Sequence, residues 1–129
     1  MPRILIIDDD PNIRRLITKI ISTADVQVIE ASDGSEGFAM ATAQTPDLIL
    51  CDVMMPQLDG IGFLQKWSSQ ATVPPVPIVM ITSVTEKSRI IDAVKYGASD
   101  YIVKPFDPLG VRTKIAKLLR EPASPHPSA

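Results

Sequence analysis

The sequence predicts a doubly wound α/β domain: five short strands alternating with five helices, so that a parallel sheet lies between two helical layers. Three observations carry this expectation. The apolar runs at residues 3–7, 48–51 and 78–81 are nearly uninterrupted, as strands buried on both faces of a parallel sheet must be. Between the runs lie stretches with helical rather than alternating periodicity. Asp-Pro pairs at 10–11 and 107–108 mark helix starts, with the acid as N-cap and proline at the first helical position.

Residues 3–7 form the first strand and lead directly into Asp8, Asp9 and Asp10. After the Asp10 cap, Ile13, Leu16, Ile17, Ile20 and Ile21 keep the i, i+3, i+4, i+7, i+8 spacing of a core-facing stripe. Residues 26–31 give a second strand, closed by the turn-prone Ser32-Asp33-Gly34. The helix over 35–43 is weaker, because Gly37 costs about 1 kcal/mol relative to alanine in a helix interior. Pro46 and Asp47 lead into the third strand, and Asp52 stands at its carboxyl end. Met54, Met55, Pro56, Asp59 and Gly60 then mark a sharply turning loop. Phe63, Leu64 and Trp67 share one face of a helix over 60–68, with Trp67 as a core anchor. The proline-rich stretch 69–77 is an irregular crossover, and 78–81 is a fourth strand ending in Thr82. A helix over about 86–96 is expected to turn Ile90, Ile91 and Val94 inward, with Gly97 at its C′ position. Residues 101–103 make the fifth strand, followed by Lys104-Pro105-Phe106. The last helix runs from the Asp107 cap to Leu119 and packs through Val111, Ile115, Leu118 and Leu119. Residues 121–129, EPASPHPSA, have the composition of a flexible Pro/Ser-rich tail, in which His126 is a solvated bystander. The expected organisation is one domain over 1–120 and the tail beyond it.

Composition narrows the function. With 129 residues, 45% of them hydrophobic, the chain suits a single core. A net charge of −2 without a basic stripe argues against direct nucleic-acid binding, which requires neutralising phosphates. The single cysteine, Cys51, excludes an intramolecular disulfide and reads as a small core filler. The N-terminus shows neither a signal peptide nor a membrane span, so a cytoplasmic location is expected.

In a doubly wound sheet, ligands bind outside the carboxyl ends of the strands at the switch point in strand order. Asp8 and Asp9 end the first strand, Asp52 the third, Thr82 the fourth and Lys104 the fifth. With strand order 2-1-3-4-5 these strands are neighbours, so the five side chains converge on one cleft. Singly, each has a plainer reading: Asp10 and Asp9 as caps, Thr82 as a turn residue, Lys104 as a solvated charge and Asp59 as a loop acid before Gly60. Their joint placement on one edge of the sheet favours a site. Three carboxylates repel one another, and a small hard cation such as Mg²⁺ would resolve that repulsion while screening an incoming phosphoryl group. Lys104 suits a phosphoryl oxygen or Asp52, Thr82 can donate a hydroxyl, and Asp52 is the natural nucleophile.

The segments IIDDDPNIRRLI, LILCDVMMPQLDG, PIVMITS and GASDYIVKPF together resemble the receiver domain of two-component response regulators, the family of the chemotaxis regulator. The resemblance covers residues 3–119 and implies a flavodoxin-like fold. It implies Asp52 as phosphoacceptor for a sensor histidine kinase or phosphotransfer protein. It further implies Asp8, Asp9, Asp52 and the backbone carbonyl of Met54 as Mg²⁺ ligands, and Thr82 and Lys104 as phosphoryl contacts. Tyr101 matches the family's switch aromatic, and Lys104-Pro105 resembles its cis peptide. The output surface would be the face of the fourth helix, fifth strand and last helix, read by a downstream protein. Asp100 and Lys114 on that face could pair across a symmetric dimer, as in the family's DNA-binding branch. Gly110, however, stands where that branch usually has an acid. A mostly monomeric protein is therefore expected, with at most a weak phosphorylation-dependent dimer.

The resemblance implies a signalling domain that assists only its own phosphorylation and dephosphorylation, rather than an enzyme with an external substrate. Two other classes compete. A haloacid-dehalogenase-type phosphohydrolase would use Asp8 and Asp10 in an Asp-x-Asp-x-Thr pattern, but position 12 is Asn and there is no cap domain. A protein-binding module independent of phosphorylation would have no need of the complete acid set. Met54 and Val84, two residues past Asp52 and Thr82, flank the approach of hydrolytic water in receivers. Neither can orient a water molecule, so a long-lived phosphoryl group is expected.

Overall fold

A computed structural model describes residues 2–22, 25–53, 60–69, 76–83 and 88–120, with the backbone alone at 88–90 and 120. Its strands are β1 (Arg3–Ile7), β2 (Gln27–Ala31), β3 (Leu48–Asp52), β4 (Ile78–Thr82) and β5 (Asp100–Val103). The helices are α1 (Pro11–Ile21), α2 (Gly34–Gln44), α3 (Gly60–Ser68), α4 (Ser88–Lys95) and α5 (Pro108–Arg120). All strand pairs are parallel, in the order β2-β1-β3-β4-β5. This is the doubly wound order expected from the sequence.

Because successive side chains of a strand point to opposite faces, the apolar runs feed two separate cores. Ile4, Ile6, Leu48, Leu50, Val79 and Ile81 pack with α1 and α5 on one face. Leu5, Ile7, Ile49, Cys51, Ile78 and Met80 pack with α2, α3 and α4 on the other. Cys51 is fully buried, as a core filler should be. Trp67 anchors the second core, edge-on to Phe38 of α2 at 5.7 Å and stacked on Phe63 at 6.2 Å.

The caps explain where the helices start. Asp10 accepts from the Asn12 amide at 2.8 Å, and Asp33 caps α2 by accepting from Glu36 at 2.8 Å. Gly97 takes the left-handed φ of 103° just after α4, a conformation that glycine adopts without steric cost. Gly37, a local liability for α2, has a tertiary reason: a Cβ there would lie 2.5 Å from Ile7 Cδ1 and 2.8 Å from its Cγ1. The helix can approach β1 this closely only without a side chain at that point.

Two expected packing faces need correction. Ile91 and Val94 of α4 are exposed at 65% and 53%, and the helix instead turns Ala93 onto the sheet. At about 100° of rotation per residue, Ile91 lies nearly opposite Ala93 and Val94 a quarter-turn away; the side chain of Ile90 lies outside the described residues. In α1, Ile17, Ile20 and Ile21 are buried, but Leu16 is on the flank of that stripe and is 44% exposed. Among the described residues no helix is long and apolar enough to cross a membrane.

Candidate phosphoryl-acceptor site

The carboxyl ends of β1, β3, β4 and β5 bring the predicted residues together. One carboxylate oxygen from each of Asp8, Asp9 and Asp52 lies within 4.8 Å of the others, with Asp8 and Asp52 buried and Asp9 exposed. Lys104 sits across from them, its Nζ 3.7 Å from Asp52 Oδ2. The last two strands keep their polar residues in register: Lys104 N donates to the Thr82 carbonyl at 2.7 Å. The fully buried Thr82 turns its hydroxyl to the carbonyl of Ser83 at 3.2 Å. The Lys104-Pro105 peptide bond is cis.

Asp8 is the most constrained of the acids. Its amide donates to the Ala31 carbonyl at 3.1 Å, and its Oδ1 accepts from the Asp10 amide at 2.9 Å. Its Oδ2 is buried and has no hydrogen-bond partner among the described residues. Burial pushes the Asp8 carboxyl above its ordinary pKa, and Asp9 and Asp10 push the same way, against the Asp10 amide and the Lys104 charge. A buried carboxylate with one oxygen lacking a donor, clustered with two further carboxylates, fits a hard divalent cation that takes oxygen ligands. Asp10 is engaged as the α1 cap. Met54, expected to lend its carbonyl, lies outside the described residues, as do Asp59 and Val84, the tail and His126.

The family model described as the response regulator receiver domain matches residues 4–116. The chain belongs to that family. Among curated relatives, a probable transcriptional regulator of Porphyridium aerugineum is 39% identical over 92% of this chain and 48% of its own length. The alkaline phosphatase synthesis transcriptional regulatory protein of Bacillus subtilis is 35% identical over 98% of the chain and 52% of its own length. The chain thus spans about half the length of the curated relatives it matches. Among solved structures, a putative response regulator from Chloroflexus aurantiacus superposes with a TM-score of 0.87 at 28% identity, covering 93% of this chain and 98% of that one. A chemotaxis protein of Vibrio cholerae gives 0.83 at 30% identity, covering 92% and 98%. This receiver domain therefore belongs to two-component signalling, in which receivers work with histidine kinases and generally bind Mg²⁺ at an acidic pocket.

Two arrangements near the site escaped sequence reasoning. Gly60, read as a loop boundary, starts α3 against the end of β3: its amide donates to the Val53 carbonyl at 3.0 Å. A Cβ at Gly60 would collide with the Asp52 carbonyl and lie 2.8 Å from both Val53 Cα and Met80 Cε. Arg14 of α1 reaches back to the Asp8 carbonyl, a contact that neither spacing nor composition signals. On the face of α4, β5 and α5, Asp100 and Lys114 pair within the chain at 3.3 Å, where a pairing between subunits was expected as an option. Lys114 also donates to the Tyr101 carbonyl, and its Nζ lies 5.0 Å from the ring centroid of the exposed Tyr101.

Proposed function

We propose that this receiver takes a phosphoryl group onto Asp52 from a sensor histidine kinase, a phosphotransfer protein or acetyl phosphate, in a Mg²⁺-dependent reaction. The observation that carries the reading is the convergence of Asp8, Asp9 and Asp52 within 4.8 Å, with Lys104 3.7 Å from Asp52. An Asp52 carboxylate oxygen bonds to phosphorus as the phosphorus–nitrogen bond of a phosphohistidine breaks. The bonding pair leaves on the imidazole nitrogen, which takes up a proton. Lys104, released from Asp52, pairs with a phosphoryl oxygen, and the Thr82 hydroxyl turns from Ser83 to donate to another. Asp8, Asp9, Asp52 and the Met54 carbonyl would hold Mg²⁺, which supplies the positive charge that lets an anion approach three acids.

In this reading the domain turns over no substrate other than its own phosphoryl group and works in the cytoplasm, mostly as a monomer. The movement of Thr82 lets Tyr101 turn inward and so shifts an existing equilibrium at the face of α4, β5 and α5, which a downstream protein reads. Exposed Ile91, Val94 and Tyr101 supply apolar surface there. Where relatives are transcriptional regulators, DNA contact in a longer protein would fall to a part outside this acidic domain. Met54 and Val84 leave the phosphoryl group without a water-orienting side chain and so prolong the signal.

The test is labelling from acetyl phosphate or a phosphorylated kinase, with and without Mg²⁺. Label should require the metal and disappear in Asp52→Asn; full stoichiometric labelling of that variant overturns the assignment.

A further inference from the structure

The peptide between the two adjacent acids is gripped from outside the cluster. Arg14, one turn into α1 and with its side chain only 18% exposed, donates through a terminal guanidinium nitrogen to the Asp8 carbonyl at 2.6 Å. Its Nε donates to Glu30 Oε1 at 3.0 Å. Glu30 is the penultimate residue of β2, and the next residue, Ala31, accepts from the Asp8 amide. The guanidinium therefore ties α1, the end of β1 and the end of β2 into one closed set of bonds. The carbonyl it holds belongs to the planar unit that joins Asp8 to Asp9, so holding that plane constrains ψ of Asp8 and φ of Asp9 at once. A guanidinium holds two acceptors in fixed directions, which an ammonium cannot do.

We propose that Arg14 is a positioning residue for the acid cluster. It fixes the Asp8–Asp9 peptide so that the Asp8 and Asp9 carboxylates meet Asp52 in a geometry that binds a divalent cation. The proposal rests on reading the cluster as a Mg²⁺ site. A cation that acted only through its charge would predict the opposite sign, since removing a positive charge near three acids tightens Mg²⁺ binding. Loss of positioning weakens it. Arg15, exposed on the same helix, provides a control with equal charge.

The experiment is calorimetric titration of the full chain with Mg²⁺ alone, together with a urea midpoint for each variant. Wild type should bind. Arg14→Met should bind at least about tenfold more weakly, the usual scale for losing a group that orients a metal ligand. Arg14→Lys should fall between the two, and Arg15→Met should bind as tightly as wild type or more tightly. Affinity in Arg14→Met equal to or tighter than wild type overturns the inference and leaves the metal site standing. A wild-type protein that takes up no Mg²⁺ overturns the reading of the cluster and the inference with it. If Arg14→Met does not fold, Glu30→Ala carries the test: it frees one end of the guanidinium, and an unchanged affinity there overturns the proposal.

Discussion

Replacing Gly60 with alanine adds one methyl group at a crowded point next to Asp52. The new Cβ would overlap the Asp52 carbonyl oxygen and stand 2.8 Å from Val53 Cα and from Met80 Cε. Ordinary contact begins near 3.4 Å, so each of those two carbons would have to retreat by 3.4 − 2.8, about 0.6 Å, and the carbonyl by more. Met80 Cε can swing aside; the backbone cannot do so cheaply. Leu50, Cys51 and Asp52 are paired with Val79, Met80 and Ile81 of β4, and Val53 N is bonded to the Ile81 carbonyl at 3.0 Å. Alanine gains at most about 1 kcal/mol of helix propensity, and less at a first helical position. Overpacking against backbone costs about 1–3 kcal/mol or somewhat more. The steric term wins, and a net loss of about 2 kcal/mol is expected, measured as a lower urea midpoint at unchanged m-value. The strain falls on Asp52 itself. The phosphorylation rate from acetyl phosphate should therefore fall by one to two orders of magnitude, since a misplacement of about 1 Å can cost a hundredfold. A variant as stable as wild type that labels at the same rate would refute the claim that the close seating of α3 on the end of β3 controls Asp52.

Three further outcomes are expected, the first two from the geometry of the described residues and the third from the sequence alone. Asp8 is buried with one oxygen unpartnered, so Asp8→Asn should stabilise the metal-free protein at pH 7 by about 1–3 kcal/mol. The Asp8 pKa is raised on folding, so its contribution is intact below the unfolded value of 3.8 and is lost as pH rises through the folded one. The advantage of Asn should accordingly shrink as pH drops toward 3.8 and reverse in saturating Mg²⁺; no advantage at pH 7 counts against an isolated buried carboxylate. Lys114→Met removes the cation 5.0 Å from the Tyr101 ring, an interaction of about 0.5–1 kcal/mol at an exposed site, so the inward ring should gain two- to fivefold in population. NMR of Tyr101 during beryllofluoride titration should then show half-conversion at a lower concentration, and an unmoved midpoint means that Lys114 does not hold the ring. For Met54→Asn with Val84→Glu, phosphate release from the purified phosphoprotein should be faster than for wild type; an equal rate means that these side chains do not set the lifetime.

What the sequence made legible was whatever depends on position along the chain. The strands of a parallel sheet all end on the same edge, so knowing that Asp8, Asp9, Asp52, Thr82 and Lys104 each follow an apolar run is nearly enough to know that they meet. Helix orientation is less recoverable. In α4 the apolar Ile91 and Val94 lie outward, and the small Ala93 is buried in the core cluster with Met80 of β4. Such a choice is made by the facing surface and leaves no trace in periodicity. The Asp100–Lys114 pair shows a similar limit, since opposite charges on one face can pair within a chain or between chains with the same sequence.

Close approach is hidden for a different reason. Gly37 costs α2 propensity and by local rules counts as a defect, while Gly60 reads only as the end of a loop. Each turns out to mark a place where a helix meets the sheet backbone or a buried isoleucine, with Ile7 just ahead of Asp8 in one case and Asp52 itself in the other. Arg14 completes the pattern, reaching the Asp8 carbonyl from α1. The clustered acids can thus be named from strand ends. The groups that hold those acids in place belong to α1, α2 and α3, and they come into view only when the helices are seated. Gly37 alone left a sequence signal, a glycine one turn into α2 next in line to a strand that ends in an acid; Gly60 opens α3, and α1 carries no glycine to mark Arg14.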